Sequence, residues 1–303
     1  MTRKQGQGSE LAAHGFVWEE GLHLHLTKKE LAAIVAAALE EDDTRHDITT
    51  AATVLSNRRA RCRLVARQSG VIAGLPLATE AFEQLDNAVT IRIDQDDGSR
   101  VGASTPVMFL SGHARGLLSA ERVALNFVQR LSGIATLTAR YVEAVAGTGA
   151  HILDTRKTTP GWRRLEKYAV RAGGGTNHRS GLHDAVLVKD NHIRLAGGVA
   201  RAIVRMRAAR QEMPVEIEAQ SLEQVDEALA GGAEIILLDN LSIEQTREAV
   251  RRIARRARVE ISGGVTLERI PELASTGADF VSVGALTHSA PAADLSFEIE
   301  PDA

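Results

Sequence analysis

Six short apolar runs in the second half of this chain each end in a charge or a glycine, and the side chains at those ends could do chemistry together. HILDTRK (151–157) ends in Arg156 and Lys157, AVLVKD (185–190) brings Lys189, and VEIEAQ (215–220) brings Glu218. EIILLDN (234–240) brings Asp239, VEISGG (259–264) ends in Ser262, Gly263 and Gly264, and DFVSVGA (279–285) brings Gly284. A further segment, GGGTNHR (173–179), places His178 and Arg179 after three glycines. The cations call for a multiply anionic substrate. Arginine offers a planar fork matched to carboxylate or phosphate and lysine a compact charge, so the mixture points to more than one kind of anionic group. ISGGV and VSVGA are glycine-bearing runs of the kind whose backbone N–H groups cradle a phosphate. Glu218 and Asp239 are the acidic exceptions. Hard oxygen ligands of this kind suit Mg²⁺ carried on phosphates, or stabilise positive charge developing on a sugar.

Residues spread over some 130 positions meet only if a scaffold brings them to one place. Strand-like runs alternating with helical stretches such as SLEQVDEALAGG and SIEQTREAVRRIARR predict a parallel sheet buried on both faces. Such sheets and barrels carry their chemistry at the carboxyl ends of the strands. An eight-fold barrel takes about 250 residues and roughly 160 are available, so the expectation over 131–290 is an incomplete, open α/β barrel. Residues 1–130 have a different pattern: a helix over 26–42, strands at ARCRLVAR (60–67), VTIRID (89–94) and PVMFL, and a helix around PLATEAFEQL. This half reads as an α+β sandwich domain. The three glycines before Thr176 are expected to let their loop fold tightly, so that His178 and Arg179 point at a carboxylate.

Composition bounds the rest. With 303 residues, 44% hydrophobic and 25% charged, the chain is globular rather than disordered. A formal net charge of −3 argues against general affinity for nucleic acid, so any anion site is built locally. Cys62 alone cannot form an internal disulfide, MTRKQGQGSE lacks the apolar core of a signal peptide, and no stretch approaches the roughly 18 apolar residues of a membrane span. Cytoplasmic residence, with no membrane or nucleic-acid partner, is the expectation. No Ser-His-Asp or Cys-His arrangement stands out. HLHL puts His23 and His25 on one strand face without a third metal ligand at a fitting spacing, so they read as surface histidines. RRIARRAR (251–258) reads as a solvated helix face and EDDTRHD (41–47) as a solvated helix end.

DTRKTTPG (154–161) followed by KYAVRAGGGTNHRSGLHDAVLVKDNH (167–192) resembles the quinolinate phosphoribosyltransferase family, the nicotinate-nucleotide pyrophosphorylases. The resemblance runs from DITT (47–50) and SGVIAGLP (69–76) through LLSAERVALNFVQRLSGIAT (117–136), VEIEAQS, ILLDN and ISGGV to VGALTHSA (283–290). The tail DLSFEIE (294–300) also fits, and implies that 291–303 return from the barrel to the first domain. The resemblance implies a type II phosphoribosyltransferase joining quinolinate to phosphoribosyl pyrophosphate, with nicotinate mononucleotide, pyrophosphate and CO2 as products. It assigns Arg156, His178, Arg179 and Lys189 to the quinolinate carboxylates, with Arg122 joining them from the neighbouring subunit of a homodimer. Lys157, Glu218 and Asp239 would handle ribose, pyrophosphate and Mg²⁺. Ser262, Gly263, Gly264 and Gly284, with His288 beside them, would hold the 5-phosphate. Two other readings stand next to it: a related transferase with another planar anionic acceptor, disfavoured by the acid-pocket cations, and a non-catalytic sensor of a phosphorylated metabolite, which would not need Glu218 and Asp239.

Overall fold

The computed structural model describes residues 22–302, which divide into two compact units. One comprises Leu22–Leu137, Arg164–Gly174 and the tail from Ala290; the other comprises Thr138–Arg163 and Gly175–Ser289.

The first unit opens with α1 (Lys28–Glu41), started by a capping box: the Thr27 hydroxyl accepts the Glu30 N–H while the Glu30 carboxylate accepts the Thr27 N–H. Next come α2 (Ile48–Thr53), β1 (Arg59–Ala66), β2 (Gly70–Val71), α3 (Leu75–Leu85), β3 (Thr90–Ile93), β4 (Arg100–Val101), β5 (Pro106–His113) and α4 (Ala114–Ala144), the unit boundary falling within α4. In β1 the arginines at 59, 61 and 63 are exposed while Ala60, Cys62 and Leu64 are buried, the period-two pattern of a half-buried strand. A register shift against β5 at Leu64/Val65 then buries Val65 and Ala66 together. Cys62 is a packing residue, its thiol pushed up to about 12 by burial. The chain's last strand, β12 (Leu295–Pro301), joins this sheet antiparallel to β1, giving the order β12-β1-β5-β3. HLHL does not form a strand: residues 22–27 have no regular structure, although His23 and His25 are both exposed.

The second unit holds β6 (His151–Leu153), the first residue of α5 (Arg163–Ala172), β7 (Val186–Val188), α6 (Asp190–Ala196), α7 (Val199–Ala209), β8 (Val215–Ala219), α8 (Leu222–Ala230), β9 (Ile235–Asp239), α9 (Ile243–Ile253), β10 (Arg258–Ser262), α10 (Ile270–Ala274), β11 (Phe280–Ser282) and α11 (Ala285–His288). Its six strands form one parallel sheet in the order β6-β11-β10-β9-β8-β7, with β6 and β7 at the two edges, so the barrel stays open between them. Val215, Ile217 and Ala219 of β8, Ile236 and Leu238 of β9, and Val259 and Ile261 of β10 share one core with Val225, Ala228 and Ala249 of the covering helices. By the same period of two, Glu216, Glu218, Asp239, Glu260 and Ser262 take the opposite, inward face. All six expected strands are present, but three stop before the first site residue expected on them. β6 ends at Leu153, so Arg156 and Lys157 lie on the loop beyond it, and β7 and β11 end at Val188 and Ser282, so Lys189 and Gly284 are the N-caps of α6 and α11 rather than strand residues. Helices α8 and α9 start at Leu222 and Ile243, on the N-caps Ser221 and Ser242, just past the ends of β8 and β9 at Ala219 and Asp239.

The glycine run serves a different purpose from the one expected. Gly173 and Gly174 donate to the carbonyls of Ala169 and Arg171, and Gly174 takes φ 85°, the left-handed conformation that ends a helix. The tight loop comes after it, where Thr176 bridges to Leu153 and extends the β6 edge.

Candidate active site

At the carboxyl ends of the parallel strands lies a cavity of about 520 Å³. Ten of the expected residues line it: Arg156, Lys157, His178, Arg179, Lys189, Glu218, Asp239, Ser262, Gly263 and Gly264. Gly284 and His288 are not among the lining; a Cβ on Gly284 would meet His288 Nε2 and Lys157 Cδ, each at 3.1 Å, so both sit beside Lys157. Arg122 is an exposed residue of α4, in the other unit.

The loop after β6 is held by its own surroundings. The Arg163 guanidinium donates to Thr158 Oγ1 at 3.0 Å, to the Ser180 carbonyl at 3.0 Å and to the Arg156 carbonyl at 3.4 Å. Thr287 Oγ1 donates to the Lys157 carbonyl at 2.8 Å. Buried Asp154 accepts from Asn177 Nδ2 at 2.7 Å and from the His178 N–H at 2.8 Å, tying 177–178 to the end of β6. Arg156 Nε is buried and makes no hydrogen bond among the described residues, a donor turned away from water with no protein acceptor. Arg179, 6% exposed, has its ordinary pKa lowered by burial and by the neighbouring charge of Arg156. A cavity that holds like charges this close is short of anions.

The acidic side is equally local. Burial raises the Glu218 carboxyl above its ordinary range, with the charges of Asp239 and Asp190 adding to the rise. Gln220 Nε2 lies 3.3 Å from both Glu218 Oε1 and Asp239 Oδ2, and Asn240 Nδ2 donates to Asp239 Oδ2 at 3.0 Å. Two carboxylates that repel each other, bridged by an amide, are a hard oxygen set that a divalent cation fits. Beside them, Gly263 has φ 91° and Gly264 φ 57°, and a Cβ on Gly263 would overlap the Asn240 side chain. Only glycine allows both the backbone turn and that approach.

His178 lines the cavity and is also in contact with two buried acids. Its Nδ1 accepts the Arg179 N–H at 2.7 Å, while Nε2 lies 3.3 Å from Glu216 Oε2 and 3.6 Å from Glu260 Oε2. Burial pushes both of these glutamates up, and Glu216's charge pushes Glu260 further. Neither stands at a strand end, although EIE in a parallel strand puts Glu216 on the same face as Glu218. Glu260, Gln220, Asn240, Asp190 and Ser282 also line the cavity: Asp190 follows Lys189, Asn240 follows Asp239, Gln220 lies two beyond Glu218, and Ser282 lies two before Gly284. Of RRIARRAR only 251–253 are helical; Ala254 and Arg255 take positive φ and Arg258 opens β10, so the segment is a helix end and strand start rather than one helix face. Its Arg251 and Arg252 pair with Glu248 and Asp226 and its Arg258 with Asp279, while Asp43 and His46 pair at an exposed helix end.

The model of the quinolinate phosphoribosyl transferase N-terminal domain matches residues 47–132, and that of the C-terminal domain matches residues 134–298. The chain is 46% identical over 272 residues to a nicotinate-nucleotide pyrophosphorylase [carboxylating] of Mycobacterium leprae, covering 88% of this chain and 95% of that protein. It is 41% identical over 260 residues to a probable enzyme of the same name from Bacillus subtilis, covering 86% of this chain and 90% of the relative. A crystal structure of NadC from Streptococcus pyogenes superposes with a TM-score of 0.88 at 43% identity, covering 92% of this chain and 99% of that one.

Proposed function

The chain belongs to the quinolinate phosphoribosyltransferase family, and from that premise we propose how its residues divide the family's reaction. The enzyme is a nicotinate-nucleotide diphosphorylase (carboxylating): it transfers phosphoribosyl from phosphoribosyl pyrophosphate to quinolinate, releasing pyrophosphate and CO2 and forming nicotinate mononucleotide for NAD synthesis. The observation that carries the residue assignment is the crowding of Arg156, Arg179 and Lys189 around one cavity, with Arg156 Nε buried and without a hydrogen bond among the described residues.

Arg156, Arg179 and Lys189 hold the quinolinate carboxylates, His178 supporting them, and their charges offset the desolvation of a dianion. Ser262, Gly263 and Gly264 offer backbone N–H groups and a hydroxyl to the 5-phosphate, with Gly284 and His288 flanking Lys157 on the same side. As pyrophosphate departs, the sugar carbon gains positive charge, which the Glu218 and Asp239 carboxylates stabilise while Lys157 meets the departing oxygens. Glu218 and Asp239 are also the residues that would hold Mg²⁺, which when bound neutralises charge on those oxygens. Once the ring nitrogen bears ribose it is cationic and stabilises the electron pair left on the neighbouring carbon when its carboxylate leaves as CO2; that carbon then takes up a proton from water to give the nicotinate ring. The protein's part is position and field, and no nucleophile is required. Arg122 completes the acid pocket from the partner subunit of a homodimer, and the lone buried cysteine fits a cytoplasmic enzyme.

One assay tests the whole reading: purified protein with quinolinate, phosphoribosyl pyrophosphate and Mg²⁺ should form CO2 and nicotinate mononucleotide in equal amounts. Turnover of another planar acid in preference to quinolinate would move the chain to the related-transferase reading, and binding without turnover to the sensor reading.

A further inference from the structure

Two buried acids beside His178 have no task in the chemistry above, although one of them, Glu260, lines the same cavity. Glu216 and Glu260, on the inward faces of β8 and β10, are 2% and 0% exposed. With His178 they bring three ligand-type atoms within 4.8 Å of one another. Burying carboxyl groups is unfavourable unless hydrogen bonds or paired charges compensate, so the arrangement of the ring between them matters.

The ring's own contacts place its proton. Nδ1 accepts the Arg179 N–H at 2.7 Å, and a nitrogen that accepts carries no proton. In the neutral imidazole the proton is therefore on Nε2, the atom facing Glu216 and Glu260. Glu260 is itself oriented: Ser282 Oγ donates to Oε1 at 2.5 Å, which leaves Oε2 3.6 Å from the ring. The imidazole thus works as a strut between the buried acids and the backbone amide of Arg179, the residue whose guanidinium lines the cavity.

We propose that Glu216 and Glu260 are positioning residues for quinolinate binding: by holding His178 in its Nε2–H tautomer they fix the Arg179 amide, and through it the guanidinium that meets a quinolinate carboxylate. The proposal deepens the transferase reading and rests on it for the identity of the anion. The positioning itself can be read without any substrate.

The test uses full-length protein with ¹⁵N-labelled histidine, free of substrate, in long-range ¹H–¹⁵N correlation spectra, with His178 assigned by its loss in His178→Gln. In the wild type the Nε2–H tautomer is expected at neutral pH. Glu260→Leu should mix the tautomers and raise the quinolinate KM about tenfold while leaving the KM for phosphoribosyl pyrophosphate within about twofold. Glu260→Gln, which keeps a polar group at the ring, should recover the tautomer and most of the quinolinate KM. A wild-type proton on Nδ1 overturns the proposal, as does a folded Glu260→Leu protein with wild-type tautomer and quinolinate KM. So does a tightly held metal ion found by elemental analysis, because a ligated Nε2 carries no proton. If Glu260→Leu does not fold, Ser282→Ala replaces it with the same expected and overturning results. A wild-type enzyme inert toward quinolinate would defeat the functional reading while the spectra still decide the positioning.

Discussion

Arg156 is the residue on which the proposed acid pocket turns, since its buried Nε makes no hydrogen bond among the described residues. Arg156→Ala should cost about 2–5 kcal/mol of quinolinate binding, the range for truncating one partner of a buried charge pair; calorimetric titration with quinolinate checks it. Asp239 is proposed to serve the ribose and pyrophosphate, so Asp239→Asn should lower kcat and leave quinolinate affinity nearly unchanged, which steady-state kinetics and the same calorimetry separate. Glu260 makes a prediction about pH. Its folded carboxyl is raised by burial and by Glu216, so above the ordinary glutamate value of 4.5 the folded chain keeps a proton that the unfolded chain has released. Folding then takes up a proton, and the stability it brings is full below that value and lost as pH rises toward and through neutrality. Glu260→Gln should flatten this decline; urea unfolding between about pH 5 and pH 8 measures it.

At the scale of elements, the site depends on how strands stop. β9 and β10 pair so that Asp239 stands opposite Ser262, which brings a carboxylate level with the start of the glycine turn. That turn relies on positive φ at Gly263 and on its contact with Asn240. Gly263→Ala should destabilise the chain by about 1–3 kcal/mol through strain at a left-handed position and through displacement of Asn240. The displaced turn should also raise the KM for phosphoribosyl pyrophosphate roughly tenfold or more. Thermal melts read the first effect, and initial rates at saturating quinolinate read the second.

For the whole molecule, the sharpest expectation is that two chains share each site. Arg122 lies on α4, in a different unit from the cavity, and the acid pocket is proposed to take it from a partner. Arg122→Ala and Lys189→Ala should each be inactive alone. In a mixed dimer one site carries both defects and the other neither, so co-refolding should return about a quarter of wild-type activity. Mass spectrometry must show the mixed dimers, and a mixture as inactive as its parents would place Arg122 within its own chain or outside the reaction.

Much of this was legible in the residues alone. Alternation and apolar runs located all six parallel strands and the antiparallel β1, because burial imposes a period that composition records directly. The charges and glycines after those strands marked the cavity, because an open parallel sheet exposes its carboxyl ends and little else can lie there. The chemical types alone pointed to a multiply anionic substrate. Other features depend on contacts between residues far apart in sequence. DTRK looks like a strand end until Asp154 is seen accepting from Asn177 and His178, which turns the chain aside at Leu153. The three glycines look like part of a tight loop at the site until Gly174 is seen closing a helix. That β12 pairs with β1 and that residues 164–174 sort with the first unit are decided by packing across more than a hundred residues. The proton on His178 is the extreme case: no local pattern indicates which ring nitrogen meets Arg179's amide and which meets two buried carboxyls. A side chain's type fixes what it can donate or accept, and only the tertiary structure decides which partner receives it.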